Sequence, residues 1–144
     1  MQMSMIINES LRLYPPVTAV VRGAEKQVRL GSLDLPPNMT LMIPTLAIHH
    51  DADIWGDDAQ LFKPERFSEG VAKATRNNFA AFVPFAMGPR TCVGINFVTI
   101  EAKIALAMIL QRYSFTLSPA HVHSPVNVMT LRPKHGIRVM LSSL

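Results

Sequence analysis

Phe85-Ala86-Met87-Gly88-Pro89-Arg90-Thr91-Cys92-Val93-Gly94 is the stretch on which the reading of this chain turns. Two glycines bracket its cysteine, and glycine lets a backbone turn tightly and approach a large flat ligand with no β-carbon in the way. The apolar run that follows predicts a helix starting directly after Cys92. Free helix amides and the neighbouring Arg90 would then favour thiolate over thiol. A thiolate so presented is a soft anionic metal ligand or a nucleophile. The commoner fate of a lone cysteine is burial as a small hydrophobe. Cys92 by itself leaves these alternatives open.

Cys92 is the chain's single cysteine, which excludes an intramolecular disulfide framework and a structural zinc site built on several thiolates. The chain has 144 residues, 49% hydrophobic and 17% charged, which is the composition of a packed globular protein and leaves no room for separate catalytic and regulatory domains. Pro36, Pro37, Pro44, Pro84 and Pro89 break the apolar stretches before any reaches the ~18 residues of a membrane-spanning helix. The 14 basic residues outnumber the 10 acidic ones but are scattered, so the net charge of +4 reads as a solvated surface rather than a nucleic-acid site. His49, His50, His121 and His123 lack the ligand spacing of a zinc site and read as surface or packing residues.

Upstream of the loop, Ile6, Ile7 and Leu11 recur at helical spacing, predicting a helix over residues 1–14 that Pro15 and Pro16 stop. A helix already under way at Met1, with no capping residue before it, predicts a piece of a larger domain. Strands are expected over residues 17–22, 27–30 and 39–43, and helical turns over 44–50. Residues 51–78 read as a long loop that wraps something. Downstream, residues 95–113 predict an amphipathic helix with Ile100, Ile104, Leu106, Ala107 and Leu110 inward. Three more strands are expected over 114–117, 126–131 and 136–141. Glu9 and Arg12 stand three residues apart on the first helix, close enough to pair.

Phe85, Gly88, Arg90, Cys92 and Gly94 match every fixed position of the haem-binding signature of the cytochrome P-450 family, which the chain therefore resembles. The resemblance implies that Cys92 is the metal ligand, the proximal thiolate of haem b (iron protoporphyrin IX), whose electron donation favours cleavage of the O–O bond. It implies that Phe85 packs near the sulfur and that Arg90 pairs with a haem propionate. Glu9-Ser10-Leu11-Arg12 and Pro64-Glu65-Arg66-Phe67 resemble two further motifs of the family. By that likeness Glu9, Arg12 and Arg66 form a structural triad beneath the haem, not a catalytic one. Arg22 falls where many members place a second propionate partner. Val17, Thr18, Ala19 and Val20, together with Met129 in the segment from Val126 to Thr130, fall in segments that line the substrate cavity.

The fold so implied is α+β, mainly α: the C-terminal part of the family fold, with its E-x-x-R helix, small β-sheet, meander, cysteine loop, long helix and C-terminal β-hairpin. Residues 1–144 would be an incomplete haem-binding domain, similar to plant microsomal members. The implied activity is insertion of one oxygen atom of dioxygen into a lipophilic terpenoid, steroid or hormone-like molecule. Electrons would come from NADPH through a cytochrome reductase. The full-length protein is expected at the cytosolic face of the endoplasmic reticulum membrane, held by an N-terminal anchor absent from this chain. A second reading is a truncated, inactive chain or a non-catalytic interaction module. Isomerase or dehydratase chemistry is disfavoured, because relatives of that kind alter the cysteine loop.

Overall fold

A computed structural model describes residues 2–144, so the expected helix start at Met1 lies outside the described residues. Helix α1 (Gln2–Leu13) ends where Pro15 and Pro16 withdraw the amide hydrogens that the next turn needs. Strands β1 (Val20–Ala24), β2 (Val28–Leu30), β3 (Leu33–Leu35) and β4 (Met39–Ile43) follow. β1 pairs antiparallel with β4, and β2 with β3. The strand expected from residue 17 begins only at Val20. Val20 lies opposite Ile43, and the next residue on β4's side is Pro44, which has no N–H to extend the ladder. The short β3 lies within a stretch whose sequence gave no strand expectation; Gly31, at a φ of 60°, makes the tight turn into it.

Helix α2 (Thr45–His50) is followed by α3 (Ala52–Trp55), which Asp51 caps by accepting the Asp53 N–H at 2.9 Å. The expected loop 51–78 is thus partly ordered into α3, a 3₁₀ turn at Pro64–Phe67 and α4 (Val71–Ala74). It wraps α1 and supplies the core. Trp55, Ala59, Phe67 and Ala81 are buried together, with Met5 of α1, Ile54, Ala74 and Phe82 against them. The Phe67 and Phe82 ring centroids lie 5.1 Å apart, tilted.

The long helix α5 (Ile95–Leu110) stops three residues short of expectation, because Tyr113 already opens β5 (Tyr113–Leu117). β5 pairs with β8 (Val139–Ser143), and β6 (Pro125–Val128) with β7 (Thr130–Pro133). The single strand expected over 126–131 is therefore two strands turned at Met129, and the strand expected at 136–141 starts later. α5 is not amphipathic as expected. It is apolar all round, none of its residues is buried, and Phe97, Ile100, Ile104 and Met108 form an exposed stripe. No described helix is long and apolar enough to cross a membrane.

Candidate haem-binding site

The cysteine loop is closed by its own backbone. The Cys92 N–H donates to the Phe85 carbonyl at 2.9 Å, and Ala86 N–H to Val83 at 3.1 Å. Between them Gly88–Arg90 form a 3₁₀ turn with Pro89 near its start, and the Thr91 hydroxyl donates to the Gly88 carbonyl at 2.8 Å. Helix α5 begins at Ile95 with Gly94 as its N-cap, so Val93 and Gly94 stand between Cys92 and the helix. Cys92 is exposed and is not packed as a buried hydrophobe among the described residues.

The two glycines do different things. Gly88 has a φ of 82°, a left-handed conformation that costs other residues ~1–2 kcal/mol, and open space where a β-carbon would stand. Gly94 has an ordinary φ of −87°, and its missing β-carbon would lie 3.9 Å from Cys92 Sγ. Gly88→Ala is therefore expected to lower the stability of the apoprotein by ~1–2 kcal/mol. Gly94→Ala should leave the unfolding midpoint unchanged and weaken haem uptake. Thermal melting and haem titration of the two variants separate these effects, and wild-type haem uptake by Gly94→Ala would contradict the second.

Phe85, Arg90, Cys92 and Gly94 line one cavity of about 780 Å³ together with Ile7 and Leu11 of α1 and Val17, Ala19 and Val20. Other candidates lie elsewhere. Arg22 donates to the neighbouring Val21 carbonyl at 2.9 Å and is not on the wall. Thr18 is off the wall too, its hydroxyl accepting from Asn127 Nδ2 at 2.9 Å. Met129 is 97% exposed at the tip of the β6–β7 hairpin and does not reach the cavity.

Beneath the loop, Glu9 and Arg12 are fully buried and paired twice, Nε to Oε2 at 2.8 Å and Nη2 to Oε1 at 2.9 Å. The other guanidinium hydrogens go to the carbonyls of His49, Ala59 and Leu61 at 2.7, 2.7 and 3.2 Å, so all five donors are used. Arg66 approaches Glu9 only to 3.5 Å, without a hydrogen bond. Its stronger partners are the Asp58 carboxylate and the Trp55 carbonyl, the latter at 3.1 Å. Asp58 was not singled out in the sequence. Lys63 at 2.5 Å and then Arg66 hold its carboxyl down to about 2, so two carboxylates meet three cations, Arg12, Arg66 and Lys63.

His49 connects this cluster to the loop. Its carbonyl accepts from Arg12, and its Nε2 accepts the Val83 N–H at 3.0 Å, two residues before Phe85. Burial pushes the imidazole down to about 4 from its ordinary 6.5, with the Arg12 charge adding to it. The unfolded chain therefore binds a proton that the folded one refuses between these values. This contribution to stability is expected to be full above pH 6.5 and to be lost, by about 3 kcal/mol, as the pH falls to about 4. Chemical denaturation across that window should show the loss, and His49→Gln, which keeps an acceptor that does not titrate, should flatten it.

An exposed sulfur on an apolar wall, one cation at Arg90 and a glycine leaving room beside the sulfur suit a flat macrocycle with a metal at its centre and carboxylates at its edge. Among the described residues no group of three or more His, Cys, Asp or Glu side chains gathers to hold a metal, so a metal here needs a ligand frame of its own. The sequence model of the family Cytochrome P450 matches residues 2–140. The chain belongs to the cytochrome P450 family. It is 64% identical to cytochrome P450 CYP749A22 of Panax ginseng, over 98% of this chain and 27% of that protein. The 11-oxo-beta-amyrin 30-oxidase of Glycyrrhiza uralensis is 51% identical, and the 7-deoxyloganic acid hydroxylase of Catharanthus roseus 46%, each over 98% of this chain and 27% of the relative. The retinoic acid-bound cyanobacterial CYP120A1 superposes with a TM-score of 0.89 at 32% identity, covering 99% of this chain and 33% of that one. The chain thus spans about a quarter of the length of the curated P450 relatives it matches. Its α+β arrangement is that of a partial P450 fold.

Proposed function

We propose that residues 1–144 are the haem-holding C-terminal portion of a haem-thiolate monooxygenase, an incomplete domain whose remaining walls lie on further chain. The observation that carries this reading is the exposed Cys92 sulfur on an apolar cavity that also holds Phe85, Arg90 and Gly94. Cys92 would hold the iron of haem b, and Arg90 would pair with a propionate. When bound, the haem supplies the activation of dioxygen for transfer of one oxygen atom. The protein's own part is to bind, orient and keep dry. Ile7 and Leu11 exclude water from the cavity, and Val17, Ala19 and Val20 give a lipophilic substrate an apolar surface.

The names of the amyrin oxidase and the deoxyloganic acid hydroxylase support a terpenoid as the substrate class. Electrons would come from NADPH through a cytochrome reductase. An anchor outside these residues would hold the protein to the endoplasmic reticulum membrane. The test is the holoprotein with reductase, NADPH and isotope-labelled dioxygen on a panel holding 11-oxo-β-amyrin and 7-deoxyloganic acid. One labelled oxygen atom in a product is expected, and unlabelled product refutes oxygen insertion. The exposed stripe of α5 supports the view that these residues need further chain to cover them. Expressed alone with haem, they are expected to aggregate and turn nothing over.

A further inference from the structure

We propose that Thr45 and Asn127 are positioning residues of the cavity, fixing the wall segment 16–20 from behind and so setting which lipophilic molecules fit. The inference rests on the monooxygenase reading above. Because Pro44 ends the β1–β4 ladder at Val20, residues 17–19 have no strand partner, although Val17, Ala19 and Val20 form the wall. The segment is held instead from α2, β6 and β7, none of which lines the cavity. The Pro16 carbonyl accepts from Leu131 N–H at 2.8 Å, and the Thr18 carbonyl from Leu46 N–H at 3.0 Å, an amide of the first turn of α2 with no partner inside its own helix. The Val17 carbonyl accepts from the Thr45 hydroxyl at 2.9 Å, and the Thr18 hydroxyl from Asn127 Nδ2 at 2.9 Å.

Two of these four bonds come from side chains and can be deleted without touching the backbone. Thr45 is 1% exposed, which shields its bond to Val17 from bulk solvent, so that bond fixes the height of Val17 on the wall. Asn127 ties the same segment to β6, 109 residues away in the chain. An extended segment with apolar side chains and no ladder would otherwise slip, and each residue of slip exchanges the side chains that face the cavity.

The test compares Thr45→Val, Thr45→Ser and Asn127→Ala in the holoprotein, using imidazole as a small probe and phenylimidazole as a bulky one. Haem content is expected to stay at the wild-type level. The ratio of phenylimidazole to imidazole affinity should shift about fivefold in Thr45→Val and Asn127→Ala, the worth of one ordinary hydrogen bond, and return in Thr45→Ser. An unchanged ratio, an equal loss for both probes or a failure of Thr45→Ser to restore it overturns the proposal. Asn127→Ala, at an exposed position, keeps the test open should Thr45→Val not fold. Exchange of the Leu46 and Leu131 amides, which donate to the Thr18 and Pro16 carbonyls of the segment, should also quicken in both deletions with or without haem. A wild type that binds neither probe refutes the haem reading, and unchanged exchange in the variants then overturns the positioning role separately.

Discussion

Cys92→Ala is expected to leave a folded protein with no measurable monooxygenase turnover, a loss exceeding ~100-fold, because removing even the outer partners of a metal ligand costs ~10–100-fold. The cavity offers no substitute. Among its lining residues Cys92 carries the only sulfur, and no histidine lies on the wall. The loop's closure is made by backbone groups, Cys92 N–H to Phe85 and Thr91 N–H to Gly88, so the substitution keeps the scaffold and deletes only the ligand. Product formation with reductase and NADPH reads the effect, and circular dichroism confirms that the fold is kept. Turnover within tenfold of wild type would mean that another group holds the iron.

Glu9→Ala is expected to cost ~3–5 kcal/mol, since it strands the fully buried Arg12 cation without a carboxylate. Glu9 also accepts the Lys63 N–H at 2.8 Å, so the same change frees the loop before the 3₁₀ turn at Pro64–Phe67. A loss of this size consumes much of the ~5–15 kcal/mol that holds a typical domain. The protein should melt far lower and fail to retain haem. Arg66→Ala should cost less, near ~1 kcal/mol, because its side chain is 13% exposed and its main partner Asp58 is one-third exposed. Equal melting temperatures for Glu9→Ala and wild type would contradict a buried network.

The cysteine loop was legible through its likeness to the family signature, and local demands stand behind two of its positions: a left-handed turn at Gly88 and an open side at Gly94. Glu9 and Arg12 were legible as a pair one helical turn apart, but spacing alone reads as a solvated helix face, and only the likeness to the family's E-x-x-R motif pointed to a structural role. The partners of Arg66 were not legible. Asp58 lies eight residues upstream across two turns, and nothing in its neighbourhood marks it out. Thr45 and Asn127 act across 28 and 109 residues, pairings that exist only once the chain has folded. The β6–β7 hairpin was not legible for a different reason. The β6–β7 turn carries no glycine or asparagine, and Met129 itself takes the left-handed φ of 65° that methionine rarely adopts, so an apolar run that folds back on itself read as one strand. Arg22 was read from its position on the strand after α1; its guanidinium donates to the Val21 carbonyl.

The direct test of a sulfur ligand at Cys92 is the absorption spectrum of the reduced holoprotein under carbon monoxide. Thiolate ligation predicts a red-shifted Soret band in the wild type that disappears in Cys92→Ala. A wild-type band at the position of histidine-ligated haem, or a red-shifted band that survives in Cys92→Ala, would contradict it.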